Sequence, residues 1–153
     1  MPVVLDVLHA LQACMSAYAL YLSYVSITDS RKYEEKTKKA AQYSNTAKQQ
    51  LHKTRTTLAS GTAAAFHSFL TSINLLCLTS NPTWPKLIFN VLNIVTTLSA
   101  RAHVSNFWRA KAKVPFVDHY NEAITKTNRL KIQLAYLAGT WAISSAIGLW
   151  ALL

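Results

Sequence analysis

The chain reads as an all-α, integral membrane four-helix bundle, a single polytopic domain over residues 1–153 whose second helix extends into the cytoplasm. Three observations predict this. Apolar residues make up 51% of the sequence and charged residues only 14%, where a soluble domain carries about 25% charged. The apolar residues fall into four runs, about 3–28, 58–78, 87–104 and 132–153. Each approaches the ~20 residues that cross a ~30 Å hydrocarbon core, the third being short. Fifteen of the 16 Lys and Arg lie in two stretches, Arg31–Arg55 and Arg101–Lys131. Four spans put both stretches on one side, and the positive-inside rule makes that side cytoplasmic, with both chain ends and the Asn81–Lys86 turn opposite.

Each element has its own signal. The first run lacks a basic leader and is too long for a signal-peptide core, so it is read as an uncleaved first helix. Thr28-Asp29-Ser30 are helix N-cap residue types, which predicts that the first span ends there and a new helix begins. From Lys36 to Leu58 there is no Gly or Pro, so the second span is expected to project several turns into the cytoplasm as a solvated stalk. Pro82 and Pro85 bracket Trp84, the pattern of a tight turn with an interfacial aromatic anchor. Phe107 and Trp108 are expected to mark the cytoplasmic interface after the third span. Pro115 breaks the chain, and Asp118–Lys131 leads as a helix into the fourth span.

Several function classes are disfavoured at this level. A formal net charge of +10 suits nucleic-acid binding, but the low charged fraction and the segments Ala63–Leu78 and Leu134–Leu153, without charge unless His67 is protonated, speak against it, and no nucleic-acid partner is expected. Cys14 and Cys77 both lie inside spans and are read as small packing residues, not as a disulfide. The five histidines show no i, i+4 pair, and no metal site is assigned. No phosphate loop or nucleophile triad is present, and the cofactor, if one is used, stays unknown.

Polar residues inside the spans carry what functional information there is. Stripes at helical spacing run through Asp6, His9, Ala13 and Ser16; His67, Thr71 and Asn74; Asn90, Asn93, Thr97 and Arg101; and Gln133, Tyr136, Thr140 and Ser144. Four stripes imply a shared polar interior. Ser and Thr there commonly hold helices together, whereas an ionisable group in hydrocarbon is a functional-site hypothesis by default. The i, i+3 pair Asp6 and His9 is the candidate acid/base dyad, with His67 as a proton relay. Asn74, Asn90, Asn93, Thr97 and Arg101 are the candidate substrate-binding residues.

In size, basicity and span count the chain is similar to the membrane-associated eicosanoid and glutathione metabolism superfamily. Gln42–Lys48 and Ala100-Arg101-Ala102-His103 resemble its motifs, with Lys48 where that pattern has Glu and Asn45 ahead of the second span instead of within it. The resemblance implies cytoplasmic arginines that hold glutathione. Small four-span oxygenases of fungal polyketide pathways are comparable in architecture. The expected function is a membrane-embedded pocket, with acid/base chemistry on a lipophilic small molecule (lipid, isoprenoid or polyketide). The alternative is a non-catalytic accessory subunit, with the stalk docking a membrane protein partner or a second copy. An endomembrane is expected, the endoplasmic reticulum favoured.

Overall fold

The computed structural model describes residues 2–42, 44–77 and 83–150, and they form four helices: α1 (Pro2–Gln42), α2 (Asn45–Cys77), α3 (Thr83–Trp108) and α4 (Asp118–Trp150). Interhelical contacts set the direction of each. Ser16 lies by Ser68 and Glu34 by Arg55, so α1 and α2 are antiparallel. Trp108 bonds to Thr57 and Lys111 to Gln50, so α3 runs back along α2. Gln12 meets Ser144, and Asp29 meets His119, which sets α4 antiparallel to α1. The helices close an up-down-up-down ring, with α2 and α4 touching across it through Ser68 and Trp141.

The inward seams of α1, α2 and α4 follow one rule of spacing. The buried positions His9, Gln12, Ser16, Ala19, Ser23, Ser26 and Ser30 recur at alternating steps of three and four along α1. Thr57, Gly61, Ala64, Ser68, Thr71 and Leu75 do so on α2, and Thr127, Leu130, Leu134, Leu137, Trp141, Ser144 and Gly148 on α4. A 3.5-residue period is the seam of left-handed knobs-into-holes packing. Small residues let the backbones approach. A Cβ on Gly61 would meet Leu130 Cδ2 at 3.1 Å, and one on Gly148 would meet Leu87 Cδ2 at 3.1 Å.

Polarity is inverted relative to a soluble bundle. The α1 seam is mostly His, Gln and Ser, while Val7, Leu11, Tyr21, Phe66, Leu70, Val91, Val95, Ile132 and Ile143 face outward. Water around such a belt would carry a large hydrophobic penalty. Among the described residues three helices, within Val3–Glu35, Trp84–Trp108 and Asp118–Trp150, are long and apolar enough to cross a membrane. The fourth expected run, on α2, falls short of that measure, its apolar half being interspersed with Ser60, Thr62, His67, Ser68, Thr71, Ser72 and Asn74.

The expected break at Thr28–Ser30 does not occur, and α1 continues for 41 residues, about 60 Å. The cap-type side chains have found other partners. Thr28 Oγ1 donates back to the Tyr24 carbonyl at 2.9 Å, and Asp29, buried against the bundle, lies 3.2 Å from His119 Nδ1 and 3.7 Å from Lys32 Nζ. The cap falls at Ser44 instead, whose Oγ accepts from the Ala47 amide at 3.3 Å to start α2. The stalk is therefore shared, the end of α1 packing on the start of α2. Arg55 donates from Nη2 and Nε to one carboxylate oxygen of Glu34 at 2.7 and 3.1 Å, which raises its already high pKa.

Two interfacial assignments divide. Trp84 is exposed at the start of α3, as an anchor requires, whereas Trp108 is only 3% exposed and donates its indole N–H to Thr57 Oγ1 at 3.0 Å, a core role and not an anchor. Pro115 lies in the α3–α4 loop as expected. That loop is clamped by Asn121, whose side chain accepts from the Val114 amide and donates to the Val114 carbonyl, and it turns through Phe116 at φ 64°, leaving that ring fully exposed.

Candidate functional site

The polar interior is a bonded network between α1, α2 and α4. His9 Nδ1 lies 2.8 Å from Gln12 Oε1, and Gln12 Nε2 donates to Ser144 Oγ at 2.9 Å. Ser16 Oγ sits 2.7 Å from the Gln12 carbonyl and 3.0 Å from Ser68 Oγ, which also accepts the Trp141 indole N–H at 2.8 Å. The His9 ring packs against Trp141 with centroids 5.8 Å apart. Gln12, Ser16, Ser68, Trp141 and Ser144 have no exposed surface. A polar cluster this closed satisfies its own donors and acceptors and fixes the register of three helices.

The two members of the expected dyad stand in different surroundings. His9 is buried as anticipated, but its partner is Gln12, while Asp6 is exposed on the outer face of α1. On α3, Asn90, Asn93 and Thr97 do face inward. Thr97 donates to the Asn93 carbonyl and Asn93 Nδ2 to the Phe89 carbonyl, while the side-chain oxygens of both asparagines are buried without a partner. Arg101 ends the stripe outside the core, because Ala100 takes the inward position. Asn74 is likewise exposed, with Thr71 and Leu75 on the buried face. Cys14 and Cys77 are free and point outward, not into packing contacts. Gln12, Ser68 and Trp141 were not among the expected residues. The signal that finds them is the three-four alternation through His9, Gln12 and Ser16 and through Trp141 and Ser144.

One sequence-predicted residue does stand on a cavity. Between α2 and α3 a lateral groove of about 510 Å³ opens on the outer surface of the bundle. Ser60, Ala63, Ala64 and His67 form one wall and Thr96, Ser99, Ala100 and His103 the other. The side chains are small, so the space between these two helices is left unfilled. His67 Nε2 is buried and has no hydrogen-bond partner. A buried imidazole nitrogen in that condition is a costly group waiting for a donor or an acceptor. Neither His9 nor Asp6 lines the groove, nor do Asn74, Asn90, Asn93, Thr97 or Arg101. Among the described residues no three His, Cys, Asp or Glu side chains converge as metal ligands would. No protein-family model, curated protein or solved structure matches the chain, and its function is read from this geometry.

Proposed function

We propose that the protein is a four-span membrane bundle that holds a lipophilic small molecule in the lateral groove between α2 and α3, with His67 as its polar contact. The unpartnered His67 Nε2 on the wall of that groove carries the reading. At this depth a ligand enters sideways from the acyl chains, its apolar body lies against the Ala63, Ala64 and Ala100 wall, and one polar group meets the imidazole. Proton transfer is the chemistry such a histidine supplies. Placement in the endoplasmic reticulum belongs to the same reading.

Chain direction supports the fourth span. α1 and α3 are both apolar enough to cross and run parallel, so the chain has to return through the bilayer between them, and α2 is the segment that does so. Its residues 56–77 carry no Lys, Arg, Asp or Glu. In a Cys14→Ala, Cys77→Ala background, Lys48→Cys and Lys113→Cys are expected to react with an impermeant maleimide from the same face of sealed vesicles. Labelling from opposite faces would remove α2 from the membrane.

Ala63 is exposed on the groove wall and outside the core. Ala63→Trp is expected to fill the groove and cut photo-crosslinking of a diazirine fatty alcohol to α2 and α3 peptides about tenfold, with helicity unchanged. Labelling that survives the substitution rejects the groove as the binding place. A second reading, an accessory subunit docking through its stalk, draws on the length of the paired α1–α2 projection and its cationic surface. It predicts that charge reversal at Lys38, Lys48 and Lys53 releases a co-purifying partner.

A further inference from the structure

We propose that a second cleft, between α1 and α2 where the helices leave the membrane, is a binding site for the headgroup of an anionic glycerophospholipid of the cytoplasmic leaflet. The cleft measures about 560 Å³. Its walls change character along the bundle axis. Ile27, Leu58 and Ala59, at the ends of the first two apolar runs, make the membrane-side wall, and Arg31, Lys38 and Arg55 stand above it. An amphiphile with its glycerol at the interface and its phosphate one turn further out matches that order of surfaces.

Two observations set this cleft apart from ordinary flanking charge. Ser30 lines it, is only 7% exposed, and its hydroxyl is buried with no hydrogen-bond partner. A hydroxyl both donates and accepts, and phosphate oxygens and glycerol ester oxygens are acceptors that would satisfy it. The second observation is the charge balance. Glu34 holds Arg55 through two N–H donors on one carboxylate oxygen and so orients the guanidinium across the cleft. Among the described residues of the lining, Arg31 and Lys38 then face a single further carboxylate, Glu35, which leaves an excess of one positive charge. An Arg fork beside a Lys is a phosphate-recognising combination. A neutral headgroup would leave that excess uncompensated.

The site needs the bilayer placement proposed above but not the groove ligand, and the two fail separately. The vesicle-labelling result tests the placement, and lipid retention tests the cleft. The full-length protein is reconstituted in phosphatidylcholine nanodiscs doped with phosphatidic acid, and bound lipid is counted by native mass spectrometry after release. One phosphatidic acid per chain is expected. Arg31→Gln with Lys38→Gln, both at exposed positions, should reduce its retention about tenfold or more, while Lys113→Gln with Arg129→Gln, the same charge removed from the other cytoplasmic face, leaves retention unchanged. Ser30→Leu, filling the cleft, should abolish retention with helicity preserved. Equal loss in the two double variants reduces the effect to general surface attraction and overturns the site, as does unchanged retention in Arg31→Gln/Lys38→Gln. Displacement of the lipid by millimolar glycerol 3-phosphate would overturn the lipid assignment in favour of a soluble phosphate ester.

Discussion

Trp141→Ala is expected to lower the unfolding free energy by about 3–5 kcal/mol, the range for truncating a fully buried tryptophan. The indole has no exposed surface and belongs to the main core cluster with Leu22, Ala65, Leu134 and Leu137. In a bilayer the loss does not come from exposing apolar surface, because lipid is as apolar as the core. It comes from the dispersion contacts around the cavity and from Ser68 losing its indole donor. Trp141→Phe separates the two, since it keeps most of the volume and removes only the N–H, and should cost about 1 kcal/mol. Unfolding by SDS titration in mixed micelles, followed by far-ultraviolet circular dichroism, measures both. A Trp141→Ala variant within 1 kcal/mol of the parent would mean that this layer collapses freely or is not packed as described.

Gln12→Leu comes next, with an expected loss of about 1–3 kcal/mol. The substitution nearly conserves volume but strands the buried His9 Nδ1 and takes one donor from Ser144 Oγ, which keeps its own bond to the Thr140 carbonyl. A typical interhelical hydrogen bond in a membrane protein contributes only about 0.6 kcal/mol, so a loss near the upper end would show that stranding, not bond removal, dominates. Ser144→Ala in the same background should then cost less than it does alone, because the two positions share one bond. The network assignment has a second consequence. His9→Ala should destabilise the bundle yet leave fatty-alcohol labelling of the α2–α3 groove per folded molecule unchanged, whereas a catalytic His9 would give a normally stable but inactive protein.

The placement of the lateral groove away from His9 shows why a polar stripe is ambiguous when read alone. Asp6, His9 and Ser16 share a face by spacing, but a helical face is about a third of a turn wide, and the true seam is centred on His9, Gln12 and Ser16. That rotation leaves Asp6 outside and brings in Gln12. The same shift on α2 exchanges Asn74 for Ser68 and leaves His67 at the edge of the seam, where it meets the groove. On α3 the stripe was legible as far as Thr97, because Asn90, Asn93 and Thr97 already alternate by three and four. Arg101 broke that alternation, and its charge put it outside.

What the amino-acid sequence determined by itself was the number of helices, the separation of charged from apolar segments and the ends imposed by proline, since these depend on local propensity and on the cost of burying charge. The tertiary structure alone decided that α1 runs through Thr28–Ser30, because Asp29 finds His119 on a helix ninety residues away and Thr28 bonds to its own preceding turn. It also decided which polar groups satisfy one another and which stay unpartnered. Hydrogen bonding between helices is a property of pairs, and no single stretch of chain carries the position of its partner.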